Sequence, residues 1–366
     1  MSSTDTSDPT SRRDALASRL FEATLGLMDL GAIYIGDRLG LYRGLERLGP
    51  ATAAELAVET RTQERYIREW LEQQAVSGLL EVDDAARPAA ERRYALPPGH
   101  AEVLVDPESL STMTPLAQFG IGVIQAMPAL LEAYRTGGGV PWDRHPDVVT
   151  AQDRTNRPQF IHSLTQDWLP ALGDIDARLR TKGGRIADVA CGTGWSTIAL
   201  ARGYPNATVD GLDLDTGSIA IANDRLATDA PDVADRVTFQ ARDAGDPQLA
   251  GTYDLALILE AVHDMSHPVE ALAATRGLLA PGGTLLIADE KVAESFTAPG
   301  DEVERIMYGY SVLFCLPNSL AEPDSIGTGT VLRPARMREL AARAGFSSVT
   351  ILPVEHDTFR FYRLDP

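Results

Sequence analysis

Apolar positions in the first hundred residues recur three and four apart, and the period sets the elements. "ATAAELAVET" and "QERYIREWLEQQAVSGLLEV" each predict an amphipathic helix, separated by "TRT", with Thr62 placed to cap the second. "GLLEVDDAARPAAERRYALPPGH" then predicts two short strands about a charged turn. Helix, helix and hairpin in that order predict a winged helix-turn-helix. A long apolar helix, "LFEATLGLMDLGAIYIGDRLGLY", precedes them. Residues 101–180 predict further helices, interrupted at "RTGGGVPWDRHP". From Gly184 the pattern changes. Short β-rich runs at Arg185–Ala190, Ala207–Asp213, Val237–Ala241, Tyr253–Leu259 and Thr284–Ala288 alternate with helical segments, which predicts a parallel sheet covered on both faces. "SSVTILPVEHDTFRFYRL" adds an antiparallel edge hairpin, giving an α/β, doubly wound, mostly parallel seven-stranded sheet. The expected organisation is a disordered tail over 1–13, a winged-helix or dimerisation domain over 14–100, a helical linker and active-site cover over 101–180, and a nucleotide-binding domain over 181–366.

Composition narrows the function. With 44% apolar and 23% charged residues the chain has the makeup of a globular protein. A net charge of -19 disfavours nucleic acid and anionic membrane as partners. The winged helix itself, from Leu41 to His100, carries 8 Arg and no Lys against 10 Asp plus Glu. Arg65 and Arg68 alternate with Glu64, Glu69 and Glu72, so the second helix reads as a solvated face and the domain as structural or dimer-forming. Cys191 and Cys315 are the two cysteines, too few for a disulfide framework or a cysteine-rich metal site, and they fit a reducing, cytoplasmic setting. Met1–Arg12 lacks an apolar core and is expected to be neither signal peptide nor anchor. The greasy run from Leu116 is interrupted by Gln118, Gln125 and Pro128 and is too short to span a bilayer.

In a doubly wound sheet, ligands gather at the carboxyl ends of the strands. After the first run comes "DVACGTG", Asp188–Gly194, where Gly192 and Gly194 permit close backbone approach and amide N–H groups open the next helix. After the second comes Asp213 in "GLDLD", an acceptor pair suited to two ribose hydroxyls. "ARDAGD" succeeds the third and puts Asp243 where it can accept from an exocyclic amine. "EAVHDM" succeeds the fourth, and "APGGTLL" makes a tight turn before the fifth. A dinucleotide fingerprint would need glycine at Thr197, and its first glycine position is Ala190. The close glycine pair and compact acids suit a cofactor without pyrophosphate. Each residue also has an ordinary reading: the glycines as a plain turn, Asp243 as a helix cap.

Asp188–Gly194, Asp213, Asp243 and "LILEAVHDM…LLAPGGTLLIADE" resemble the class I S-adenosylmethionine (SAM)-dependent methyltransferases. "YIREWLEQQAVSGLL", "YALPPGHAEVL", "RTGGGVPW" and "VLRPARMRELAARAGF" resemble bacterial members with an N-terminal winged-helix domain, similar to small-molecule O-methyltransferases. The resemblance covers the chain from about Leu20. It implies a Rossmann-like fold, SAM as cofactor and S-adenosylhomocysteine (SAH) as product. Asp188 would lie near the methionine ammonium, Ala190, Gly192 and Gly194 would line the cofactor, and Asp213 would hold the ribose hydroxyls. Asp243 with the backbone of Ala244 would meet the adenine, and the carbonyl near Glu260 would face the amino-acid end. Most members carry glycine at Ala190, so this position is expected not to need a positive φ here.

Methyl transfer from a sulfonium asks the protein for position and dryness, and a hydroxyl acceptor gains from a base. His263 in "AVHDM" lies just beyond the fourth strand, and the resemblance implies that such a His–Asp pair supplies the base, with Asp264 as orienter. An ordinary imidazole titrates near neutral pH; the other reading makes His263 structural. No Asp/Asn cluster for a metal-dependent mechanism can be assembled, so no metal is expected. Candidates to line an apolar or aromatic acceptor pocket are Met28, Tyr34, Phe119, Tyr308, Tyr310 and Phe314, which equally read as plain core. Three functions stay open: a small-molecule methyltransferase, O- or alternatively C- or N-directed; a non-methylating SAM-binding member; and a SAM-sensing DNA regulator. A homodimer through the first hundred residues is expected, with no nucleic acid or membrane partner.

Overall fold

The computed structural model describes residues 8–366. It divides into two compact units, one reaching Ile124 and including Thr150–Thr155, the other formed by Gln125–Val149 and Asn156–Pro366. The helical stretch 101–180, expected as one linker and cover, is therefore shared between them.

In the first unit, α1 spans Pro9–Arg38, started by the Asp8 side chain accepting from the Ser11 amide and by proline at the first helical position. Residues 9–13, expected in the disordered tail, are thus helical, and the tail's residues 1–7 lie outside the described residues. The apolar helix expected from Leu20 breaks at Leu39–Gly40, where Gly40 takes φ 67°, and resumes as α2 over Leu41–Leu48. Helix α3, Ala53–Thr60, opens on a reciprocal capping box between Thr52 and Glu55. Helix α4 spans Glu64–Val76 with Gln63 at its N-cap. Thr62 does not cap it; its hydroxyl meets the Thr60 hydroxyl at 2.9 Å instead. Strands β1 (Glu81–Val82) and β2 (Tyr94–Ala95) pair antiparallel as the wing. Leu41, Tyr42, Leu45, Leu56, Ile67 and Leu71 close the core, and Trp70 donates from Nε1 to the Ala32 carbonyl at 2.9 Å. Arg154 joins Thr150–Thr155 to this unit by gripping Asp37 at 2.7 and 2.9 Å.

The second unit is built on β3 (Gly184–Val189), β4 (Ala207–Asp213), β5 (Val237–Ala241), β6 (Tyr253–Leu259), β7 (Leu279–Glu290), β8 (Ser348–Ile351) and β9 (Phe359–Asp365). Their order is β5-β4-β3-β6-β7-β9-β8, parallel through β7 and antiparallel for β9 and β8. This is the expected seven-stranded, mostly parallel sheet with its antiparallel hairpin at one edge. One core packs Ile198, Leu200, Leu226, Leu257 and Leu286, a second packs Ala256, Leu272, Leu285, Met337 and Leu340, so apolar side chains leave the strands on both faces. The turn expected at "APGGTLL" is a bulge, with Gly282 at φ 80°. It lies within β7, which pairs Tyr253 with Leu279 and, after an irregularity, Leu255 with Thr284. The chain leaves β3 for β4 on one side and later returns to β6 on the other, so the switch point lies at the carboxyl ends of β3, β4 and β6. Among the described residues no single helix is long and apolar enough to cross a membrane; the run from Leu116 is two helices, Thr114–Gln125 and Met127–Thr136.

Candidate functional site

At the end of β3 the backbone turns back sharply. Ala190 takes φ 58°, Gly192 φ 53° and Gly194 φ 92°. The expectation that Ala190 avoids positive φ is overturned: the turn demands it, and alanine bears the strain. Gly194 is required for a second reason. A Cβ there would lie 2.5 Å from the Phe239 ring. The next helix, Trp195–Gly203, begins directly on this turn and leaves its first amides free of a side-chain cap.

Asp188 is buried beneath the turn, with Oδ2 accepting from the Ser196 and Thr197 hydroxyls at 2.6 Å each. Burial raises its carboxyl to about 6, against the pull of those two hydroxyls and helped by the neighbouring Asp213. Asp213, at the end of β4, accepts from the Gly192 amide at 2.8 Å and from the Asp215 amide at 2.9 Å. Burial pushes its carboxyl up as well, with the amides opposing. The second acid thus holds the glycine turn in place while two acids face it from below. Asp243 is exposed after β5 and accepts from the Gly245 amide at 2.7 Å, a local turn bond, while Ala244 packs on the core. Glu260, directly after β6, takes φ 54°, and its amide donates to the Ala288 carbonyl at 2.8 Å. Two non-glycine residues in the left-handed region therefore sit at the ends of adjacent parallel strands, β3 and β6.

Three further residues, none of them marked by the strand-end pattern, complete the turn. Trp195 lies between Arg157 and Arg225, each guanidinium 4.3 Å from its ring centroid. Arg225 also donates to the Thr193 carbonyl at 2.6 Å and hydroxyl at 2.8 Å, tying the helix Thr216–Asp229 to the glycine turn.

His263 lies in the 3-10 turn Val262–Asp264 and is buried. Its Nδ1 is 3.0 Å from Asp289 Oδ1, at the end of β7, and its Nε2 is 3.7 Å from Asp264 Oδ1. Burial alone would depress the imidazole, but Asp289 and Asp264 outweigh it and hold the ring well above its ordinary range. The net direction is upward from the ordinary imidazole that the sequence suggests. The orienting contact comes from Asp289; Asp264, expected in that role, lies beyond hydrogen-bond reach of the ring. Burial also drives Asp264 and Glu290 upward, and Glu290 is raised well above the carboxylate range. Cys315, from the π-helical turn Ser311–Cys315, joins this group, and one donor atom each of His263, Asp264 and Cys315 falls within 4.8 Å of the others. The metal ligands considered from sequence were Asp and Asn; the structure gathers a mixed set of donors from distant segments.

The acceptor candidates separate by unit. Met28 (exposed), Tyr34 and Phe119 (half-buried) belong to the first. Tyr308, Tyr310 and Phe314 belong to the second. There Tyr308 accepts from Arg333 at 3.3 Å, the half-buried Tyr310 is pushed up to about 12 by burial and the nearby Glu290, and the buried Phe314 packs against Trp142 and His145. His145 is buried in that aromatic contact.

Comparison with known proteins agrees with this architecture. Residues 187–285 match the family described as "Methyltransferase domain", and residues 23–106 match the "Rv2258c-like winged HTH domain". The demethylmenaquinone methyltransferase of Clavibacter sepedonicus is 33% identical over 144 residues, 39% of this chain and 55% of that protein. The chain spans only 24–55% of the length of the first curated relatives it matches. Among solved structures, the mitomycin 7-O-methyltransferase MmcR superposes with a TM-score of 0.69 at 19% identity, over 97% of this chain and 99% of that one. Human N-acetylserotonin methyltransferase, solved in complex with SAM, gives a TM-score of 0.66 at 18% identity over 99% of each chain. At these identities the superpositions establish the fold, while the two family matches establish the domain content: this chain carries a methyltransferase domain behind an N-terminal winged helix-turn-helix domain of the Rv2258c-like kind.

Proposed function

We propose that the chain transfers a methyl group from SAM to a small acceptor, with an oxygen of an apolar or aromatic molecule as the favoured nucleophile. The observation that carries this reading is the strained turn Asp188–Gly194 with Asp213 bonded to its Gly192 amide. It leaves the backbone open at Gly192, provides an acid at each of two strand ends, and lies in a methyltransferase domain. Asp188, Ala190, Gly192, Gly194, Asp213, Asp243, Ala244 and Glu260 form the proposed SAM site. Neighbours whose names specify O-methyl transfer favour oxygen over carbon or nitrogen.

His263 is the proposed base. The Asp289 contact at Nδ1 fixes the ring, and Nε2 is the nitrogen proposed to meet the acceptor. SAM would bring a positive charge to the same strand ends, and a nearby like charge favours the neutral imidazole. Cofactor binding and base readiness are thereby coupled.

Calorimetry tests the cofactor and mass spectrometry the reaction. Asp213→Ala removes a carboxylate expected to bind two hydroxyls, and hydrogen bonds to a charged group contribute about 1.5–3 kcal/mol each. SAM affinity should fall at least tenfold; unchanged affinity overturns the assignment. His263→Ala should leave SAM affinity nearly intact while SAH release in the presence of an acceptor slows by about 10²–10⁴. An equal loss in both measurements would make His263 a structural residue.

A further inference from the structure

We propose that His263, Asp264 and Cys315 form a three-donor site for a zinc-class divalent cation. Donor geometry carries this site, independently of the methyl-transfer reading. Zinc takes nitrogen and carboxylate oxygen at about 2.0–2.1 Å and thiolate sulfur at about 2.3 Å, which places tetrahedral donors about 3.3–3.6 Å apart. His263 Nε2 and Asp264 Oδ1 are 3.7 Å apart. That is too long for a hydrogen bond and close to the span of two ligands on one ion. Asp264 Oδ1 is buried with no hydrogen-bond partner, and the Cys315 sulfur lies within 4.8 Å of both other donors.

The surroundings match the needs of such a site. A ligating histidine is commonly fixed by a carboxylate on its other nitrogen, and Asp289 does this at 3.0 Å. Asp289 Oδ2 and Glu290 Oε2 are further buried oxygens without hydrogen-bond partners, acceptors that a nearby divalent cation would compensate. The segments that carry the donors are pinned together, with Ser266 Oγ donating to the Ser319 carbonyl at 2.8 Å and the Ile326 amide to the Ser266 carbonyl at 3.2 Å. Imidazole and thiolate select zinc or cobalt over magnesium or calcium. Three protein donors leave a fourth position for water. The cation would take the Nε2 lone pair that the methyl-transfer reading gives to the acceptor's proton, so zinc occupancy and methyl transfer exclude one another.

Cobalt(II) is the probe. The full chain, stripped with chelator, is titrated with Co²⁺ while the visible bands and the thiolate-to-cobalt charge-transfer absorption are recorded, and Zn²⁺ is then added in competition. One Co²⁺ per chain is expected, displaced by Zn²⁺. The charge-transfer band should vanish in Cys315→Ser and persist in Cys191→Ser. Affinity should fall at least tenfold in Asp264→Asn and 10–100-fold in Asp289→Asn. Metal-free melting curves identify any variant that has lost its fold, and Asp264→Asn carries the test should Cys315→Ser be one. Absence of stoichiometric uptake by the parent chain, or a band that survives Cys315→Ser, overturns the site. SAM calorimetry on the same samples separates the two proposals, since SAM binding without cobalt uptake rejects the cation site alone.

Discussion

Replacing Asp188 by asparagine should make the free chain more stable, although the residue is proposed to serve the cofactor. Its carboxyl is buried and titrates at about 6 when folded, against an ordinary value of 3.8. At 1.36 kcal/mol per pH unit, this displacement destabilises the folded, ionised form by about 3 kcal/mol. The sign comes from comparing the two states. Above pH 6 both folded and unfolded chains carry the charge, and the folded chain bears the full cost. Between pH 6 and 3.8 the folded chain takes up the proton first and the cost is relieved; below 3.8 it is gone. Asparagine keeps an oxygen for the Ser196 and Thr197 hydroxyls but leaves its amide hydrogens without a certain acceptor, so the expected gain at pH 7.5 is about 1–3 kcal/mol. Thermal unfolding of parent and Asp188→Asn chains at pH 7.5 and pH 4.5 measures it. The advantage should be large at the higher pH and shrink at the lower one. Saturating SAM should reverse it, because the ammonium compensates a charge that asparagine lacks. A variant less stable than the parent by the same margin at both pH values refutes the desolvation argument.

Ala190→Gly should raise stability by about 1 kcal/mol, since φ 58° costs an L-residue of this kind about 1–2 kcal/mol, part of which glycine loses to its freer unfolded chain; an unchanged or lower melting temperature contradicts the strain. Thr52→Ala should cost the first unit about 1 kcal/mol by opening its capping box, read by hydrogen exchange at Ala53–Leu56, with faster exchange expected there and little change in the sheet. A homodimer through the first unit is expected because α1 exposes Leu16, Leu20, Phe21, Leu25 and Met28, and light scattering that returns a monomer at micromolar concentration removes it. Random duplex DNA should not bind at physiological salt, because Arg65 and Arg68 on α4 are already paired with Glu69 and Glu64; a gel shift under those conditions counts against this reading.

The parallel strands were legible by two patterns: β6 is buried on both faces and reads as a near-continuous apolar run, while the edge strand β5 alternates buried and exposed positions, and β4, β5 and β6 begin and end where the pattern places them. Helix breaks were harder. Gly40 ends α1 through a left-handed backbone that the apolar periodicity on either side conceals, and Thr62 makes a hydroxyl contact that competes with the capping role its sequence position suggests. "APGGTLL" carries every mark of a turn, and the glycine half of it does bend, with Gly282 at φ 80° and Ala280–Gly283 bulging out between the Leu279 and Thr284 pairings to β6; what the sequence does not show is that Leu279 on its near side already pairs with Tyr253.

The candidate site shows where such legibility stops. The acids after β3, β4 and β5 stand out because a doubly wound sheet presents its ligands at the carboxyl ends of its strands. The same rule extended to β7 reaches Asp289 and Glu290 in "LLIADE", and Asp289 is the residue that holds His263. Cys315 had no such signal. It meets His263 because the turn after β6 and the helical segment at Ser311–Cys315 fold onto one another, and a lone cysteine in an apolar helix reads as core. The same burial explains why the imidazole's charge state is not legible in the sequence. Desolvation pulls it down and two carboxylates pull it up, and only one of those carboxylates is adjacent in sequence. A residue type fixes the chemistry available at a strand end; the segments packed over it decide which protonation state that chemistry starts from.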